Sequence, residues 1–96
     1  MSPKKRKKLN ILRKRLDKLD NSFIRLIKKR TLLVTQVLQL KEYKNQIIDK
    51  KRIKKILKEI RKKSIKNNID PKITNRIWKN MIWSYIDYEK RNFKKK

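Results

Sequence analysis

Residues 9–41 read LNILRKRLDKLDNSFIRLIKKRTLLVTQVLQLK, and the spacing of their apolar side chains decides the fold. Leu12, Leu16, Leu19, Phe23 and Leu26 are followed by Leu33, Val37 and Leu40. The steps alternate between three and four residues and are broken once, by a step of seven between Leu26 and Leu33. A helix turns once in about 3.6 residues, so these side chains share one face in the manner of a heptad seam. Leu9, Ile27, Val34 and Leu38 widen that stripe. No glycine or proline interrupts the segment. It predicts one helix of roughly 32 residues, about 48 Å long.

Downstream, a loop is expected from Glu42 to Ile48. Asp49 is placed to cap a second helix whose apolar face is Ile53, Ile56, Leu57 and Ile60. Asn67-Asn68 closes it. Asp70-Pro71 reads as the cap and first residue of a third helix, with a stripe of Ile73 or Thr74, Ile77 and Trp78, Met81 and Ile82, Tyr85 and Tyr88. Phe93 to Lys96 is expected to fray. Upstream, Pro3-Lys4-Lys5-Arg6-Lys7-Lys8 resembles a basic nuclear-import or RNA-contact peptide. Residues 1–8 are expected to form a disordered basic arm, unless Ser2 caps and Pro3 sits at the first helical position, which would start the helix there. Residues 9–93 then form one domain, and 94–96 a basic tail.

The expected fold class is therefore all-α: one long helix and two shorter ones. A helix of that length cannot be covered by two helices of about 20 residues in a compact monomer, and a wet seam would expose many large side chains. An intertwined homodimeric helical bundle is expected instead.

Composition narrows the chemistry. The 96 residues contain no Gly, no His and no Cys. Phosphate-cradling glycine loops, imidazole bases, thiolate nucleophiles and the usual zinc sites are excluded. Neither cofactor nor metal is expected. Lys and Arg number 33 against 8 Asp and Glu, for a net charge of +25. Such a chain attracts anions: small polyanionic metabolites, nucleic acid, or an anionic surface. No apolar run approaches a membrane span, and no signal peptide is evident, so a soluble, cytoplasmic protein is expected.

Several residues break the apolar pattern. In the gap of the seam stands Arg30, and a cation at a core position is costly unless an anion meets it. Its partner is an acid on another helix or a ligand. Lys41 lies 11 residues further on, roughly 16 Å away on the same face. Arg13 lies 17 residues before Arg30 and about 100° around the helix, so it reaches the same pocket only from a paired chain. Glu89 shares the face of Tyr85, Ile82 and Trp78. It is either a carboxylate at the solvent edge of the helix, or one kept neutral by burial or matched by a cation. Asp49 is a cap or a site residue. Arg52, in the first turn of the second helix, opposes the helix dipole and invites a local anion.

The ordered set resembles the all-helical chorismate mutases. Leu12-Arg13-Lys14-Arg15-Leu16-Asp17-Lys18-Leu19-Asp20 is similar to that family's opening motif. Arg30 follows the spacer Leu26 to Lys29, Lys41 falls at the family's lysine, Asp49-Lys50-Lys51-Arg52 resembles its Asp-x-x-Arg, and Ile77-Trp78 through Glu89 its closing helix. The resemblance covers residues 9 to 91. It implies rearrangement of chorismate to prephenate in aromatic amino acid synthesis. It also implies that Arg30 and Lys41 bind a carboxylate and the ether oxygen, and that Arg13 enters the partner's site. Arg52 would sit beside the second carboxylate, Asp49 near the ring hydroxyl, Tyr85 in the site wall, and Glu89 facing the ether oxygen. One departure stands out: the family usually has Glu directly after the second-helix arginine, and here that residue is Ile53. The alternative function is a basic helical nucleic-acid-binding protein. In the enzyme reading, nucleic acid is a partner only through the basic arm.

Overall fold

The computed structural model describes residues 1–94; Lys95 and Lys96, part of the expected basic tail, lie outside the described residues. Three α-helices follow in order, α1 Pro3–Leu40, α2 Lys50–Lys66 and α3 Pro71–Asn92, with one short 3₁₀ turn at Lys44–Gln46 between α1 and α2. The all-α expectation holds. Met1–Leu33 forms one compact unit, and the chain from Val34 onward forms another.

The first unit is a single helical segment. Residues 3–8, expected as a disordered arm, are helical, and the alternative start at Ser2-Pro3 is the one observed. The reason is local. The Ser2 hydroxyl accepts from the Lys5 amide at 3.3 Å, and the Ser2 carbonyl accepts from the Arg6 amide at 2.9 Å. Proline at the first helical position gives up no bond that the helix needs. With 38 residues, α1 is about 57 Å long, longer than the expected 48 Å.

In the second unit, Leu38, Ile47, Ile82 and Ile86 are buried, and Ile48, Ile53, Ile56, Leu57 and Phe93 pack against them. The core thus joins the last turns of α1, the connecting loop, α2 and α3. On α3 the choice left open between Ile73 and Thr74 falls to Thr74, and the expectation that Ile77 joins the stripe is corrected. Thr74, Trp78, Met81, Tyr85 and Tyr88 are half-buried and Ile82 is buried, whereas Ile73 and Ile77 face solvent. Ile86, in no motif, completes the buried side. A buried hydroxyl pair, Ser64 Oγ with Thr74 Oγ1 at 2.6 Å, links α2 to α3.

The seam of α1 behaves differently. Leu12, Leu16, Leu19, Phe23, Leu26, Leu33, Val37 and Leu40 each leave half or more of their surface exposed. The α1 side chain that the chain buries is Leu38, from the flank of the stripe.

Turns are built without glycine. Asp49 Oδ1 accepts from the Arg52 amide at 3.0 Å and Asp70 Oδ1 from the Lys72 amide at 2.9 Å, so both expected caps form. The α2–α3 corner is made by Asn68 at φ 57°, a left-handed conformation that asparagine tolerates better than other non-glycine residues. Replacing Asn68 by Ala is expected to lower stability by about 1 kcal/mol, while Asn68→Gly keeps or slightly raises it; urea denaturation of the three proteins measures this.

Candidate active site

Lys41 is the first residue beyond α1, and its amide still donates to the Leu38 carbonyl at 3.1 Å. This last tightened turn aims the side chain at α3. Its ammonium donates to Glu89 Oε1 at 2.9 Å. Glu89 lies three residues past Ile86 and seven past Ile82, on the buried side of α3, and keeps only 6% of its surface exposed. Of the alternatives open for this carboxylate, burial against a cation is the one found. A buried carboxylate is tolerated when a cation and good hydrogen-bond geometry offset its lost hydration. Here the cation arrives from a residue 48 positions earlier.

A second polar contact braces the same pair of helices. Thr35 Oγ1 and Tyr88 Oη are 3.1 Å apart. Within the second unit, the end of α1 is therefore tied to α3 at two points.

Asp49 and Lys41 line one open depression of about 550 Å³, together with Asn45, Gln46, Ile48, Lys50 and Lys51. Asp49 is exposed and acts as the α2 cap. Arg52 is exposed in the first turn of α2, and Tyr85 is half-buried one turn before Glu89; neither lines the depression. Lys41 and Glu89 are thus in direct contact, and Asp49 shares a surface with Lys41. Arg30, half-buried, and Arg13, exposed, belong to the first unit. They are 17 residues apart on one helix, about 25 Å along its axis, and do not converge within a single chain. A larger depression of about 660 Å³ runs along one side of α3 past Ile73 and Ile77; none of the candidate residues lines it.

Ile53 packs against the core cluster. The position at which the resemblance leads one to expect a glutamate therefore serves the hydrophobic core. Thr35 and Gln46 were not singled out from sequence. Gln46 carried one signal: an amide side chain soon after a long helix, in a chain with no glycine to turn the backbone.

A family model described as chorismate mutase type II matches residues 12–90. No curated protein and no solved structure matches the chain.

Removing one member of a buried ion pair strands the other. Lys41→Met is therefore expected to cost about 3–5 kcal/mol of stability. The double replacement Lys41→Met with Glu89→Leu should recover most of that loss, and chemical denaturation of the wild type and both variants reads the difference.

Proposed function

This chain belongs to the chorismate mutase type II family and rearranges chorismate to prephenate, and we propose that its catalytic centre is built around Lys41 and Glu89, with arginines from two copies of the chain. The reaction supports a site of this composition. A [3,3] rearrangement breaks a C–O bond and forms a C–C bond within one molecule, with no nucleophile and no net proton transfer. The protein has to hold a flexible dianion in its reactive shape and to stabilise negative charge growing on the ether oxygen. Guanidinium groups suit the first task, since their donors match carboxylates in pairs. Donors aimed at the ether oxygen suit the second. An acceleration of about 10⁶ corresponds to roughly 8 kcal/mol, within reach of a few charge-assisted contacts plus conformational restriction.

In this reading Arg30 and Lys41 hold one carboxylate and the ether oxygen. Arg52 stands beside the second carboxylate, Asp49 takes the ring hydroxyl, and Tyr85 walls the site. Glu89 faces the ether oxygen together with Lys41. The observation that carries the assignment is the buried Lys41–Glu89 contact at 2.9 Å inside the matched segment. Two groups proposed to meet the same substrate atom stand side by side.

Arg13 is assigned to the partner's site, and the chain to a homodimer. Support comes from the α1 seam. Eight large apolar side chains lie half or more exposed along one stripe, on the order of the 800 Å² that one partner contributes to a stable interface. A heptad seam is self-complementary, so a second copy of the same helix fits it. The mutase domain is placed at residues 9–93, with Pro3–Lys8 extending α1 outward. Among the described residues no helix is long and apolar enough to cross a membrane, and we place the enzyme in the cytoplasm.

Purified protein should consume chorismate in a spectrophotometric assay; absence of turnover would sink the assignment. Arg30→Ala is expected to leave the dimer folded and to abolish activity. Mixing Arg13→Ala with Arg30→Ala subunits should restore about a quarter of wild-type activity, because half the pairs are mixed and each mixed pair rebuilds one intact site. No recovery on mixing would place Arg13 outside the partner's site.

A further inference from the structure

The loop that carries the chain away from Lys41 is held by one side chain. Gln46 Oε1 accepts from the Glu42 amide at 2.7 Å and from the Tyr43 amide at 2.9 Å. The Gln46 amide donates to the Tyr43 carbonyl at 3.0 Å, and the Ile47 amide to the Lys44 carbonyl at 3.2 Å. Ile47, the next residue, is 3% exposed and belongs to the core.

A helix end leaves its last backbone groups without helical partners, and the chain beyond needs a new direction. Glycine in a left-handed conformation is the usual device, and this chain contains none. After α1 the turn is made by a side-chain oxygen that engages the two amides directly following Lys41. A carboxamide oxygen has two lone pairs, and these two amides occupy both. The orientation of the amide group follows from chemistry, since its nitrogen cannot accept from an N–H. Lys41 is therefore held on both sides: behind by its own amide on the Leu38 carbonyl, ahead by Gln46. Ile47 anchors that clamp in the core.

We propose that Gln46 is a positioning residue of the active site: through the Glu42 and Tyr43 amides it sets the backbone from which the Lys41 ammonium is presented. The inference rests on the assignment of Lys41 to the catalytic centre. Gln46 is exposed, so water replaces the oxygen when it is removed, and fold stability depends little on it. Aim depends on it more. A contact that strengthens in the transition state is sensitive to small displacements, and its loss appears in kcat rather than KM.

The test compares Gln46→Met, Gln46→Glu and Lys41→Gln in the full-length protein, by chorismate turnover, melting temperature and amide hydrogen exchange. Gln46→Met has a similar length and no oxygen. It should speed exchange at Glu42 and Tyr43, shift the melting temperature by less than about 4 °C, and lower kcat about tenfold with KM changed little. Gln46→Glu keeps an oxygen acceptor for both amides and should restore most of kcat. Lys41→Gln, which still offers Glu89 a donor, should be nearly inactive. If Lys41→Gln keeps wild-type turnover, the site assignment itself fails. If Lys41→Gln is inactive but Gln46→Met keeps its kcat, or loses activity only in proportion to unfolded protein, the assignment stands and the positioning role is overturned. Unchanged exchange at Glu42 and Tyr43 would overturn it as well.

Discussion

A carboxylate and an ammonium withdrawn together from water, Glu89 and Lys41, organise the second unit of this protein. Each is costly to bury alone, and at 2.9 Å each offsets much of the other's lost hydration. The contact also fixes geometry, because it ties the residue just past α1 to the last turns of α3 and so constrains where α1 can end. The Thr35–Tyr88 hydroxyl pair repeats that tie nearby. Apolar packing of Leu38, Ile47, Ile82 and Ile86 supplies most of the driving force, but it specifies direction poorly. The polar contacts select one arrangement among those that the oily surfaces would accept. In the proposed site the same two side chains meet the ether oxygen, so that structural and catalytic demands would fall on one pair.

The absence of glycine shapes the rest of the second unit. Every reversal has to be made by a side chain or by a tolerated non-glycine residue. Asp49 and Asp70 begin α2 and α3, Asn68 turns the corner between them, and Gln46 makes the turn after α1. These devices leave the connections short, which keeps Lys41, Asp49 and the first turn of α2 close in sequence and gives Lys41 and Asp49 a common depression. Ile53 shows a competing demand. A small core needs each apolar contact it can recruit, and this side chain points into the cluster.

The long helix carries the other constraint. Its seam is too apolar to be left in water and too long for α2 and α3 to cover. Its opposite faces carry much of the +25 charge, which opposes unspecific clumping. In the proposed homodimer a stripe of that kind, flanked by cations, would favour one self-complementary pairing over disordered association. Arg30 interrupts that stripe, and in the proposed homodimer it would face the anion held between the two chains.

How much of this was legible beforehand depends on how local the determinant is. Three helices, the Asp49 and Asp70 caps and the Ser2-Pro3 start follow from 3.6-residue periodicity and from hydrogen bonds that span a few residues. Arg30 and Glu89 were conspicuous because each is charged in an apolar stripe. Burial of Glu89 was one of the alternatives its apolar face left open, and the resemblance put Lys41 and Glu89 at the same ether oxygen; that the two side chains, 48 residues apart, touch each other directly was decided by packing. The register of α3 was equally hidden: Ile73 and Ile77 fit a helical stripe as well as Thr74 and Trp78 do, and contact with α2 chose between them. Periodicity says that a helix has an apolar side. Only packing against the other elements says which side chains that side buries within the chain, which is why Leu38 entered the core and its neighbours Val37 and Leu40 did not.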